Sequence, residues 1–192
     1  MQRQAKDNHS ASSHVVRRRR SLKILLVTAV VAAICLIVFG RGILSGWARH
    51  QATRDMELWA MSDALRWLER AERIQPDHPD TALLRASCYR QVGRFTLRDE
   101  MLRQARKHGA AEQDVQNERT LGEIQSGQLG AGAESKLSEL LQSRLSPADI
   151  ASAFIEGCIT RQDLARADSL LQGWKADSPG DPHINYVRGK LY

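Results

Sequence analysis

Residues 64–76, ALRWLERAERIQP, carry the reading that decides the fold. Ala64, Leu68 and Ala71 fall at i, i+4 and i+7, one face of a helix. Pro76 ends that helix, because proline has no amide donor and its ring excludes the preceding turn. The pattern returns about 34 residues later as Arg98, Leu102, Ala105 and Ala110. With one further residue of offset it returns as Ala133, Leu137, Leu140 and Leu145, and then as Ala167, Leu171, Trp174 and Pro179.

A second, looser series precedes each of these faces. Ala86, Tyr89, Gly93 and Phe95 correspond to Thr120, Glu123, Gly127 and Leu129, then to Ile155, Cys158, Gln162 and Leu164. Gly189 and Tyr192 begin the series again. Gly93 and Gly127 suit the turn between two antiparallel helices, and Ala and Gly on facing helices let backbones approach closely. The pattern predicts an all-α chain with helices near 47–60, 63–75, 79–92, 95–108, 112–126, 133–144, 147–160, 163–176 and 182–192, with Ser62 and Ser146 as N-caps.

This resembles the tetratricopeptide repeat family, with its helix–turn–helix unit of about 34 residues. The likeness covers roughly residues 48–192, is strongest in 64–110 and 164–192, and weakens in 111–145. Glu123 stands there where an aromatic is expected, and Arg98 replaces a small residue in the unit before. The resemblance implies an α-solenoid of about four repeats over 47–192, whose inner helices, 79–92, 113–126 and 148–160, line a concave groove for a peptide or partner protein. Its groove candidates are Leu83, Ser87, Arg90 and Gln91, then Asn117, Leu121, Ile124 and Gln125, then Ser152, Glu156 and Ile159. They do not form the Lys/Asn-rich clamp with which some members grip a C-terminal carboxylate.

Ahead of the repeats, Arg17–Arg20 precede an uncharged apolar run from Ile24 to Phe39. Its insertion into a bilayer is favourable by on the order of 5 kcal/mol. A transmembrane signal-anchor over 22–44 follows, with residues 1–21 as a disordered basic cytoplasmic tail and the repeats on the non-cytoplasmic side, by the positive-inside rule. The alternative is a cleaved signal peptide and a secreted repeat protein. Trp47, just past the run, is expected in an interfacial belt.

The net charge of +6 belongs to the tail. Residues 1–49 hold nine Lys/Arg and one acid, whereas residues 50–192 hold 19 and 21. No basic stripe marks the repeats as a nucleic-acid binder. Cys35 falls in the apolar run; Cys88 and Cys158 read as buried free thiols, although a disulfide between them stays open. His78, His108 and His183 fall at inter-repeat turns and read as solvated, while Asp63, Glu69, Glu72, Asp99 and Glu100 alternate with arginines on solvated faces. Trp59, Trp67 and Trp174 sit at helical spacing and read as core. No catalytic, metal or cofactor motif stands out; the glycines of 127–132 lack the strand and the Lys-Ser/Thr ending of a phosphate loop. The expectation is a membrane-anchored, non-enzymatic scaffold for protein–protein interaction. The alternative is the N-terminal region of a larger enzyme or transport-assembly protein, motivated by the unpaired helix at Tyr192.

Overall fold

The computed structural model describes residues 40–128, 132–143 and 145–192. The basic tail (1–21), the apolar run and Cys35 lie outside the described residues, as does the anchor (22–44) up to residue 39. The chain divides into two compact units, Met1–Ile43 and Leu44–Tyr192. Of the first, the described residues 40–43 are helical. Among the described residues, no helix is long and apolar enough to cross a membrane.

The second unit is all helical among its described residues. Helix α1 spans 44–57. It is followed by α2 (Met61–Ile74), α3 (Pro79–Gln91), α4 (Phe95–Lys107), α5 (Glu112–Gln125), α6 (Ala133–Leu141), α7 (Pro147–Thr160), α8 (Leu164–Asp177) and α9 (Pro182–Leu191). The helices predicted from spacing all form, with boundaries moved by a few residues at most.

Local chemistry explains where they begin and end. Three of the odd-numbered helices open on an acceptor followed by proline at the first helical position. His78 Nδ1, Ser146 Oγ and Asp181 Oδ1 accept from the amides of Asp80, Asp149 and His183. Ser62 is no cap: α2 starts one residue earlier, after Ala60, without a side-chain cap. Four turns within helix pairs hold a residue at positive φ: Trp59 (60°), Gly93 (76°), Gly127 (76°) and Gln162 (63°). Their separations are 34, 34 and 35 residues, so the repeat is present in the backbone as well as in the side chains.

The core is a string of four apolar clusters, each made by an even-numbered helix and the odd-numbered helices flanking it. Ala52, Met56, Ala64, Leu68 and Cys88 join α1, α2 and α3. Ala86, Leu102, Ala105 and Val115 join α3, α4 and α5. Leu121, Ile124, Leu140, Ile150 and Ala153 join α5, α6 and α7. Ile155, Ala167, Leu171, Trp174, Ile184 and Val187 join α7, α8 and α9. One leucine anchors each cluster (Leu68, Leu102, Leu140 and Leu171), none more than 2% exposed. Burial of each contributes about 1.5–3 kcal/mol. In the third cluster the deep position is Leu140; Leu137, the match by spacing, is half-buried against it, one turn away.

The odd-numbered helices also pack on one another, α3 on α5, α5 on α7 and α7 on α9. They come close at Gly157, where a β-carbon would lie 2.2 Å from the Ile124 carbonyl oxygen. Helix α9 returns to the start of the unit. The Trp59 ring packs against Tyr186 at 4.1 Å, tilted by 40°, and meets His183 edge-on at 4.7 Å. Trp59 is thus a turn residue joining the two ends of the unit, where its spacing predicts a helical position. Trp47, expected in a membrane belt, packs edge-on against Trp67 at 5.0 Å while keeping about half its surface exposed.

Candidate functional site

The odd-numbered helices enclose a hollow of about 420 Å³. Helix α1 supplies Thr53, Met56 and Glu57, and α3 supplies Leu83, Leu84, Ser87 and Gln91. Helix α5 adds Asp114, Asn117 and Glu118. Asp149 comes from α7, Leu145 and Ser146 from the segment before it, and His183 from α9. Among the described residues, the walls combine aliphatic surface with four carboxylates and contain no lysine or arginine.

A buried polar network runs behind this wall and ties the odd-numbered helices together. Arg90, whose side chain is fully buried, donates from Nε to Glu118 Oε1 at 2.6 Å and from Nη1 to Gln125 Oε1 at 3.1 Å. Its Nη2 lies 3.6 Å from Asp149 Oδ1 and donates to Ser87 Oγ at 3.4 Å. Gln125 Nε2 donates to the Arg90 carbonyl at 3.1 Å and to Glu156 Oε2 at 3.0 Å. Lys190 Nζ, on α9, reaches the same Glu156 oxygen at 2.6 Å. A half-satisfied network of this kind costs more than an apolar core, whereas a connected one fixes register.

Glu118, Asp149 and Glu156 meet Arg90 and Lys190, and Arg98 adds a third positive charge near Glu118. Burial pushes the Glu118 carboxyl above the ordinary carboxylate range; Arg90 pulls it back and Asp149 adds to the rise. The carboxylates around Arg90 outweigh its burial and hold it protonated.

The groove candidates divide into three sets. Leu83, Ser87, Gln91 and Asn117 line the hollow. Arg90, Gln125 and Glu156 belong to the buried network, and Ser152 is buried beside it, its hydroxyl bonded to the Asp149 carbonyl. Leu121 and Ile124 are fully buried in the third cluster, and Ile159 packs against the fourth. None of the three lines the hollow: helical periodicity marks the Leu121–Ile124 stripe of α5 as inward-facing, and the arrival of α7 buries it, while Ile159 of α7 turns to the fourth cluster.

Sequence reasoning missed Glu57, Asp114, Glu118, Asp149 and His183. The histidine departs most from expectation. It is 4% exposed, and its Nε2 lies 3.1 Å from the Met56 carbonyl oxygen, 127 residues away in the chain. A carbonyl accepts only, so Nε2 carries the proton. The Asp-Pro-His run at 181–183 was legible as a helix start, but not the contact with α1.

The two remaining inter-repeat histidines behave as turn residues, His78 as a cap and His108 with Nε2 3.3 Å from Asp77. Cys88 and Cys158 are free and buried. Among the described residues, no group of three His, Cys, Asp or Glu is placed to hold a metal ion. A second cavity, of about 630 Å³, lies among α6, α7 and α8 and is lined mainly by aliphatic residues with Phe154 and Trp174. Comparison with protein-family models, with curated proteins and with solved structures finds no match to the chain.

Proposed function

We propose that this protein is a membrane-anchored scaffold of tetratricopeptide-like repeats that holds a peptide or protein partner in the hollow bounded by α1, α3, α5, α7 and α9. The observation that carries the reading is the period of the left-handed turns, which recur at 59, 93, 127 and 162. Each of the helix pairs they join also buries a leucine, at 68, 102, 140 and 171. A helix pair that recurs in this way and buries its apolar face against the next pair is what an α-solenoid requires. Its inner row then forms a preformed concave surface.

The proposed role is recognition, without catalysis. The anchor proposed over 22–44 holds the repeats at the non-cytoplasmic face and raises the effective concentration of a captured partner. A phosphatase domain fused after Tyr192, active only outside the cytoplasm, tests that orientation.

A photo-reactive amino acid at Leu83, in the full chain within its native membrane, tests the binding role. The expected result is a discrete cross-linked adduct that disappears when Thr53→Trp fills the hollow from an exposed position of α1. An adduct that survives the block, or no adduct, removes the hollow as the binding site. Leu83 is a better position than Arg90 or Gln125, which are buried.

A further inference from the structure

Two side chains lining the hollow carry a buried acceptor without a partner. Gln91 is 2% exposed, and its Nε2 donates to Asp149 Oδ1 at 2.6 Å. That bond fixes the amide, since the flipped form would set oxygen against carboxylate. Gln91 Oε1 is left with no hydrogen-bond partner among the described residues. His183 stands in the same position: its proton is on Nε2, facing Met56, and Nδ1 meets no partner. A buried polar atom without a partner costs about 1–3 kcal/mol; both acceptors lie within the wall, closed off from the hollow itself.

Among the described lining residues the charge has one sign. Glu57, Asp114, Glu118 and Asp149 line the hollow, and the guanidinium that contacts its wall, Arg90, is shared between Glu118 and Asp149. Glu57 is exposed and Asp114 partly so, so the negative field reaches the mouth. The remaining surface is aliphatic, from Leu83, Leu84 and Leu145. A volume of about 420 Å³ falls within the ~300–1,000 Å³ range of ligand sites and far below that of a folded domain.

We propose that the hollow recognises a lysine or arginine side chain carried on a partner segment with apolar neighbours. This rests on the reading of the hollow as the partner site. The cationic head supplies several donors and no acceptor, matching the carboxylates, while flanking apolar residues cover the leucines. The acidic wall repels a segment ending in carboxylates, so the same chemistry sets specificity.

A displayed library of random peptides, selected against the full chain in detergent micelles, tests this. The expected result is enrichment of peptides with a lysine or arginine beside leucine-like residues. Their binding is lost in Thr53→Trp and weakens steeply with salt. Each of Glu57→Gln and Asp114→Asn weakens it about three- to tenfold. Both positions are exposed or half-exposed, so these variants keep the fold. Replacement of the basic residue in the selected peptide by citrulline or glutamine abolishes binding.

Peptides that bind in the hollow but are not enriched in basic residues overturn the cationic specificity and leave the scaffold reading standing. Failure to select any peptide sensitive to Thr53→Trp overturns both. A hollow already filled by a second copy gives that same failure together with a concentration-dependent mass by light scattering.

Discussion

A β-carbon at Gly157 would lie 2.2 Å from the carbonyl oxygen of Ile124. The two residues belong to α7 and α5, and glycine is what lets these helices touch backbone to backbone. Because the obstructing atom is main chain, it cannot swing aside. Gly157→Ala is therefore expected to destabilise by about 1–3 kcal/mol, read as a lower denaturation midpoint with unchanged slope. Gly173→Ala, at an open site inside α8, is the control and is expected to stabilise by somewhat under ~1 kcal/mol.

Gly122 makes the complementary case. A β-carbon there would lie 1.3 Å from Arg98 Nη1, so the missing side chain of Gly122 is the space that Arg98 occupies in place of the small residue its repeat position calls for. The obstructing atom is the end of a flexible side chain. Gly122→Ala is therefore expected to cost less than Gly157→Ala, and Arg98→Ala in the same chain to relieve most of the loss. Equal penalties that do not depend on Arg98 would show that backbone contact governs this site as well.

The left-handed turns predict opposite signs at equivalent positions. Gln162 is exposed with φ 63°, a conformation that costs an L-residue about 1–2 kcal/mol, whereas Gly93 adopts φ 76° freely. After allowance for the extra freedom of glycine in the unfolded chain, Gln162→Gly is expected to stabilise by about 0.5–1 kcal/mol. Gly93→Ala is expected to destabilise by about 1–2 kcal/mol. Thermal melts of the two variants test the pair; a loss for Gln162→Gly would contradict the account of this turn.

Arg90→Met leaves Glu118 and Asp149 facing one another with their buried cation removed. A loss of about 3–5 kcal/mol is expected, with partial recovery in Arg90→Met/Glu118→Leu, where both partners are replaced by apolar side chains. The variant also has a pH signature. Burial already raises the folded-state pKa of Glu118, and loss of Arg90 raises it further. Stability from such a group is complete below its unfolded value, about 4.3, and is lost as pH climbs through the folded value. The deficit of Arg90→Met should therefore shrink as pH falls from about 7 towards about 5, and an unchanged deficit would rule out Glu118 as its source.

The cysteines report on opening of the unit. Burial, reinforced by Glu118, pushes the Cys88 thiol up to about 12, and burial raises Cys158 as well. At about pH 8 neither holds an appreciable thiolate fraction in the folded chain. A disulfide-exchanging reagent should therefore modify Cys88 only as fast as the surrounding helices open, with the rate rising in Gly157→Ala. Rapid labelling of Cys88 in native conditions would contradict its burial between α1, α2 and α3.

The helices were legible in the chain because their signals are local. The apolar period, the cap-proline pairs at 146–147 and 181–182, and glycines at turns act within a few residues. The candidate site was legible only in part, and the three misplaced residues show why. Leu121, Ile124 and Ile159 lie on the stripe that the repeat marks as inward. Whether an inward position meets a hollow or a neighbouring helix depends on the distance between helices, which Gly157 sets from 33 residues beyond Ile124. His183 shows the same limit, since a buried histidine bonded to Met56 and a solvated turn histidine follow from identical local sequence.

By itself, the sequence determined that Leu44–Tyr192 is helical, where its helices start and stop, and that one unit recurs about every 34 residues. It could do so because backbone propensity, capping and apolar period are short-range effects. Only the tertiary structure decided that α9 meets Trp59, that Arg90, Gln125 and Glu156 are spent on joining helices, and that Gln91 and His183 carry unpartnered acceptors beside an acidic hollow. Those outcomes depend on groups brought together across more than 100 residues of chain, as the Met56 carbonyl and the His183 ring are.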